Sequence, residues 1–341
     1  MLATTESPTR PRDANVFADV FAPARGHLDA LDRYLAQQVE AFEPEVRPHA
    51  SFCLQHQGKR LRPMLVFLSG WTRDGSVSKD LVQGAAVVEL VHLATLVHDD
   101  ILDEADVRHN APTVAARHGP NVAVLLGDAF FAHALHLAAQ FPTPEVCRLV
   151  SRATRQVCTG EIFQTLNRGA RVTRADYYRA IELKTAELFA VSCQVGALLG
   201  GHAPVFQEAA SDFGRALGTA YQIFDDLVDY LGSTDQIGKT LGTDLAGGKY
   251  TLPLIALLDR LEPRQRAIIL DELASDAGPS EFQLRRLAGW MREYDIVRVV
   301  RDAFDHQLAL AHDALAPFAG HPAAERLEHL SSAVESYMDR V

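Results

Sequence analysis

Two segments of this sequence carry aspartates at a spacing that chemistry can use. Asp99 and Asp103, in HDDILD, and Asp225 and Asp229, in FDDLVD, stand four residues apart within each pair. On a helix that spacing puts both carboxylates of a pair on one face. Two acids held together repel unless a cation lies between them. Oxygen-only donors of this kind suit Mg2+, which takes one or two carboxylates, keeps several waters and completes its shell with phosphate oxygens. A single such pattern in an acidic protein reads more simply as a solvated face. Its repetition, each time at the end of an apolar run, favours two acidic rims across one cavity, holding a diphosphate through bridging metal ions.

Cationic and hydrogen-bonding residues accompany the aspartates. Gly58-Lys59-Arg60-Leu61-Arg62-Pro63 reads as a short basic turn in which the glycine lets the backbone approach and Lys59 and Arg62 offer charge. Arg108 follows the first aspartate cluster, and Lys184-Thr185, Lys239 and Lys249 supply further donors. His92 lies two turns before Asp99 on nearly the same face of the most apolar stretch. There it is either a satisfied core histidine or a hydrogen-bonding group for an anion.

Rigid elements must position these side chains. Leu28, Leu31, Leu35 and Val39 form one apolar stripe at helical spacing, and Val297, Val300, Phe304, Leu308 and Ala311 form another. Ala85 to Leu102 and Ala190 to Leu199 are apolar on most faces, as in helices surrounded by others. Joints fall at Gly70, Gly75, Gly119-Pro120, Pro142 to Pro144, Gly200-Gly201, Gly247-Gly248 and Gly278-Pro279. No alternating pattern of strand length competes. The expectation is an all-α fold, one domain over residues 21–341 behind a flexible leader at 1–20.

The bulk properties agree with that reading. A chain of 341 residues that is 48% apolar can bury a large core. Its formal net charge of −11 argues against nucleic-acid binding and against a polybasic membrane-surface role. Cys53, Cys147, Cys158 and Cys193 form no CxxC pair and are expected to be reduced, packed thiols of a cytoplasmic protein. No uninterrupted apolar run of roughly 18 residues stands out, so no transmembrane segment is expected.

The ordered set GKRLRP, ELVHLATLVHDDILDEADVRH, LLGDAFFAHA, TGEIFQ, IELKTAELF, YQIFDDLVDY and KTLGTDLAGGKYTLP, from Gly58 to Pro253, resembles the polyprenyl synthetase family of trans-prenyltransferases. Within it the medium- and long-chain (octaprenyl-type) synthases are the nearest in pattern. The resemblance implies a bundle of many mostly antiparallel helices around a central cavity, usually a homodimer. It implies head-to-tail condensation of isopentenyl diphosphate with an allylic diphosphate (dimethylallyl, geranyl or farnesyl), with ionisation assisted by Mg2+, three ions per active site. By position, Lys59, Arg62 and His92 would bind isopentenyl diphosphate, with Gly58 shaping the turn. Asp99, Asp103 and, less directly, Asp100 would hold Mg2+ on the allylic diphosphate, with Arg108 beside it. Lys184, Thr185, Gln222 and Lys239 would complete the allylic site, Asp225 and Asp229 would hold a further Mg2+, and Lys249 is an additional contact. The residues implied to carry catalysis are Asp99, Asp103, Arg108, Lys184, Asp225 and Lys239. One position departs from the pattern: the family usually has two consecutive arginines after the first motif, the second contacting isopentenyl diphosphate. Here the pair is Arg108-His109, and His109 is charged only when protonated.

Product length should depend on what lies below the first aspartates. Ala94 and Thr95 precede Asp99 by five and four residues, roughly 6–7.5 Å deeper at helical rise. Both are small where short-chain members carry an aromatic floor, which points to a hexaprenyl-to-decaprenyl product able to partition into a membrane. Phe130 and Phe131 either form a lower floor or pack in the core. The alternatives are a short-chain farnesyl or geranylgeranyl synthase, a class I terpene cyclase, and a non-catalytic helical partner subunit. A cyclase's second metal site usually mixes Asn, Ser/Thr and Glu, and a partner subunit tends to lose the aspartates; this chain does neither.

Overall fold

The computed structural model of the chain describes residues 17–55, 58–108, 111–169, 171–231, 242–273 and 280–339. Helices dominate: α1 (Ala18–Phe21), α2 (Arg25–Val39), α3 (Arg47–Gln55), α4 (Leu61–Ser69), α5 (Lys79–Leu102), α6 (Val114–His118), α7 (Pro120–Ala138), α8 (Glu145–Leu166), α9 (Arg174–Ile181), α10 (Glu187–Leu199) and α11 (Pro204–Leu231). They continue as α12 (Thr243–Ala246), α13 (Leu252–Arg260), α14 (Pro263–Leu273), α15 (Glu281–Glu293), α16 (Ile296–Leu315) and α17 (Pro322–Met338). The two apolar stripes become α2 and α16, with Leu31, Leu35 and Val39 buried on the first and Val300, Phe304, Leu308 and Ala311 on the second.

The runs that are apolar all round become α5 and α10, enclosed by other helices as an unbroken apolar surface requires. With α4 they form the interior wall. Leu65 and Leu68 of α4, with Phe189 and Cys193 of α10, join a core with α11, α13, α16 and α17. Val66 and Phe67, with Leu188 and Val191, join a second core with α2, α5, α7 and α8. Close approach of α4 and α10 requires glycine. A Cβ on Gly196 would stand 2.2 Å from the Val66 carbonyl oxygen and 2.1 Å from the Ser69 hydroxyl, so no larger side chain fits without separating the two helices.

The structure adds detail to this reading and corrects it at Cys158. Phe17 is buried with its ring stacked on Tyr337 of α17, and α1 begins at Ala18, so the end of the stretch assigned to a leader packs on the fold. A two-residue antiparallel ladder, β1 (Val107–Arg108) with β2 (Ala111–Pro112), follows α5, too short to show in any alternation of residue types. Cys53 and Cys193 are buried, but Cys158 is exposed. Two helices, α5 and α7, are long and apolar enough to cross a membrane by length and composition, because isolated polar residues do not lower the average over a span. Of the apolar window in α5, 72% is buried inside the protein, against 39% in α7.

Candidate active site

The last turn of α5 carries the first aspartates. Asp99 and Asp103 share the face predicted, and each meets a cation from another element: Lys184 Nζ lies 3.7 Å from Asp99, while Lys249 Nζ and Arg168 Nη2 lie 2.9 and 2.6 Å from Asp103. Burial pushes the Asp99 carboxyl up to about 6, with Glu161 and Asp103 adding and Lys184 opposing. Burial also acts to raise Asp103, but Lys249, Lys184 and the hydrogen bond from Arg168 prevail and hold it below the usual range. Asp100 sits one residue round the helix and turns away. It is 5% exposed and accepts a 2.6 Å hydrogen bond from Arg108 Nε. Arg108 therefore pairs directly with Asp100, and its guanidinium is also close enough to Asp99 to oppose the rise of that carboxyl.

Lys184 and Thr185 belong to a π-helical turn, Glu182–Ala186, between α9 and α10. The extra residue of a π turn shifts the register of side chains, a device common at functional sites. Here the Lys184 ammonium pairs with Glu161, donates to Gln164 Oε1 at 3.2 Å and points at Asp99. The Thr185 hydroxyl donates to Gln222 Oε1 at 2.9 Å, the Gln222 amide nitrogen donates to Asp226 Oδ1 at 2.7 Å, and the Tyr177 hydroxyl donates to Asp226 Oδ2 at 2.6 Å. This chain of bonds fixes Gln222 as acceptor on one side and donor on the other. Burial, then the nearby Asp244, raises the Asp226 carboxyl, against the two donors that hold it.

Asp225 and Asp229 lie within α11. Asp229 accepts hydrogen bonds from Thr243 N (3.3 Å), Thr243 Oγ1 (3.1 Å) and Asp244 N (3.1 Å), so α12 is docked on the second aspartate motif. Lys249 then ties the rims together, 2.9 Å from Asp103 and 3.7 Å from Asp244 Oδ1. Burial pushes the Asp244 carboxyl up to about 6, Lys249 opposing and Asp229, Asp225 and Asp103 adding. The resulting cleft is lined by Gln164, Arg168, Lys184, Thr185, Gln222 and Lys249, among others.

A second set of basic groups lies outside that lining. Arg60 precedes α4 in the left-handed conformation, φ 54°, which costs a non-glycine residue roughly 1 kcal/mol. Its guanidinium reaches Asp32 at 2.7 Å and the buried Glu89 at 3.4 Å. The twist leaves Gly58 and Lys59 exposed and turns Arg62, in the first turn of α4, inward. Arg62 lies over the Phe189 ring at 5.0 Å, and its Nη1 stands 3.0 Å from His92 Nε2. Since a guanidinium only donates, His92 Nε2 accepts and the imidazole proton sits on Nδ1. His92 is thus a half-buried histidine satisfied by a protein partner, Arg62.

On α5 the half-buried residues His92, Thr95, Leu96 and Asp99 mark one face. Ala94 is fully buried off that face, and the Thr95 hydroxyl bonds back to the His92 carbonyl at 2.7 Å. Phe130 is fully buried with Phe42 at 6.0 Å between ring centroids, which makes it core. Phe131 is half-buried, with the His98 ring 5.8 Å away. His109 and Lys239 lie outside the described residues. Among the described residues no three carboxylate, imidazole or thiolate groups form a protein-only metal cage. Paired carboxylates that need phosphate oxygens and water to complete a shell fit Mg2+ better than such a cage would. The sequence reading missed Glu161, Arg168, Tyr177, Asp226 and Asp244. Glu161, Asp226 and Asp244 lay inside quoted motifs, where an acid without a partner in sight was the available signal; Arg168 and Tyr177 gave none.

A family model described as "Polyprenyl synthetase" matches residues 43–285. Octaprenyl diphosphate synthase of Haemophilus influenzae is 33% identical over 247 residues, 72% of this chain and 75% of that protein. Heptaprenyl diphosphate synthase component 2 of Bacillus subtilis is 36% identical over 232 residues, 68% of this chain and 66% of that relative's length. Among solved structures, a polyprenyl synthase from Caulobacter crescentus, complexed with calcium and isoprenyl diphosphate, superposes with a TM-score of 0.83 at 29% identity, covering 96% of this chain and 99% of the other.

Proposed function

The chain belongs to the polyprenyl synthetase family, and from that premise we propose that it is a trans-polyprenyl diphosphate synthase. It adds isopentenyl diphosphate head-to-tail to an allylic diphosphate (dimethylallyl, geranyl or farnesyl) and builds a product of hexaprenyl to decaprenyl size. The observation that carries this reading is two groups of cations on different elements. Lys249, Arg168 and Lys184 pair with Asp103, Asp244 and Asp99, while Arg62 pairs with His92 between α4 and α5 and Lys59 meets Tyr337 of α17. A reaction with a single diphosphate, such as cyclisation, would need only the first.

Asp99 and Asp103 from α5, with Asp225 and Asp229 from α11, are the residues that would hold Mg2+, three ions in all. When bound, the metal supplies charge neutralisation for the departing diphosphate. Lys184, Lys249 and Arg168, each paired with a carboxylate in the free protein, are the cations within reach of that diphosphate. They stabilise charge as the allylic C–O bond ionises. Thr185 and Gln222, fixed by Asp226 and Tyr177, orient the leaving group. Lys59, Arg62 and His92 hold isopentenyl diphosphate so that its double bond attacks the cation, and the released diphosphate takes the proton. The tail descends along the face of α5 bearing Thr95 and Leu96, neither of them aromatic.

Self-association is part of the reading. α7 exposes Val124 (42%), Leu125 (68%) and Leu135 (38%), and α8 exposes Ile162 (61%) and Leu166 (79%). A homodimer would cover these apolar side chains.

The deciding experiment incubates the isolated chain with farnesyl diphosphate, isopentenyl diphosphate and Mg2+, then sizes the dephosphorylated products. Products of C30 to C50 are expected. Consumption of the allylic substrate without isopentenyl diphosphate would indicate a cyclase, and inactivity relieved only by a second protein would indicate a partner subunit.

A further inference from the structure

Lys59 carries a charge that the proposed reaction needs, on the exposed turn before α4 that holds Arg60 in the left-handed conformation. A rigid group from the far end of the described chain meets it. Lys59 Nζ donates to the Tyr337 hydroxyl at 3.1 Å and stands 4.3 Å from the centre of the same ring. Tyr337 belongs to α17 and is 7% exposed. Two aromatic neighbours fix it: Phe17 stacks on it at 5.0 Å, and Phe224, the residue before Asp225, meets its edge at 5.9 Å. The Phe17 ring is itself 5.8 Å from the Lys59 ammonium. Burial raises the Tyr221 hydroxyl, with Asp225 and Tyr337 adding and Arg62 opposing, so Tyr337, Tyr221, Arg62 and Asp225 are electrostatic neighbours.

We propose that Tyr337 is a positioning residue for isopentenyl diphosphate, its ring and hydroxyl holding the Lys59 ammonium at the second anion site until a diphosphate oxygen takes it. This inference rests on the proposed synthase function. A neutral hydroxyl and a ring face add attraction for the ammonium without adding a negative charge of their own. A carboxylate at the same point would form an ion pair that the diphosphate must break. A lysine already extended has less rotamer entropy to lose on binding. Phe17 and Phe224 fix the tyrosine, so α1 and α11 converge on the same device.

The test is Tyr337→Phe, which keeps the stack with Phe17 and Phe224 and removes only the hydroxyl, with Phe17→Ala as a second variant. KM for each substrate is measured with the other saturating, together with melting temperature. For Tyr337→Phe the KM for isopentenyl diphosphate is expected to rise about 3–10-fold, with kcat and the allylic KM within about twofold and melting unchanged. For Phe17→Ala the same KM should rise by at least about twofold relative to the allylic one. An unchanged KM for isopentenyl diphosphate in Tyr337→Phe, or equal changes in both KM values, would overturn the assignment. Inactivity of the wild-type chain would instead count against the synthase reading itself.

Discussion

Gly160 on α8 is the position where a single methyl group tests the architecture of the catalytic cleft. A Cβ there would stand 2.7 Å from the Lys184 backbone nitrogen and 2.8 Å from Leu183 Cβ, inside the π turn that aims Lys184 and Thr185. Ordinary contact begins near 3.4 Å, so in Gly160→Ala the helix and the π turn must part by about 0.7 Å. Alanine in a helix interior is favoured over glycine by about 1 kcal/mol, whereas overpacking costs about 1–3 kcal/mol. Gly289 on α15 provides the control, because nothing lies within 4 Å of its Cβ position. Gly289→Ala should therefore stabilise by up to about 1 kcal/mol, and Gly160→Ala should fall about 1–3 kcal/mol below it, read as a melting difference of several degrees. Moving the Lys184 ammonium by a large fraction of an ångström should lower kcat about 10–100-fold. The KM for isopentenyl diphosphate should hardly change, since Lys59 and Arg62 stand on a different element. Melting curves and steady-state kinetics on both variants decide the matter. If Gly160→Ala melts with Gly289→Ala and turns over at the wild-type rate, the π turn does not position Lys184 as argued.

Other consequences can be measured directly. Tyr177→Phe removes the 2.6 Å bond to the buried Asp226 carboxylate and should cost about 1.5–3 kcal/mol in chemical denaturation; unchanged stability would show that Asp226 does not need this donor. Asp99 has a folded pKa of about 6, above the ordinary carboxyl value, so ionised Asp99 opposes folding above that pH and the penalty fades as pH falls toward 4. Asp99→Asn should accordingly stabilise the metal-free protein by ~1–3 kcal/mol at pH 7.5 and by less at pH 5; an equal gain at both would refute the electrostatic origin. His202 and His321 face each other at 4.7 Å, and burial lowers both, with the neighbouring His321 adding at His202. Their neutral forms are the ones the fold accepts, so this contribution is complete above the unfolded value near 6.5 and is lost as pH falls through it. His321→Gln should flatten the stability loss between pH 7.5 and 5.5 in urea titrations, and an unaltered slope would place the effect elsewhere.

The helices, their order and the residues bearing charge were legible in the sequence because their causes are local. Helical spacing put Asp99 with Asp103, and the all-round apolar runs announced that α5 and α10 are interior. The sequence was silent wherever a residue's role depends on what another element places opposite it. Asp100 adjoins Asp99 in the chain, yet a rotation of one residue buries it against Arg108. Phe130 read equally as pocket floor or core until Phe42 was seen beside it. Lys249 reads as one more lysine until folding sets it between Asp103 and Asp244. Arg168 and Tyr177 lie in no motif, and Lys59 and Tyr337 are 278 residues apart. Periodicity determines which face of a helix a side chain occupies; only packing of the helices decides which charge it meets there, and that meeting sets its pKa, its hydrogen bonds and its use.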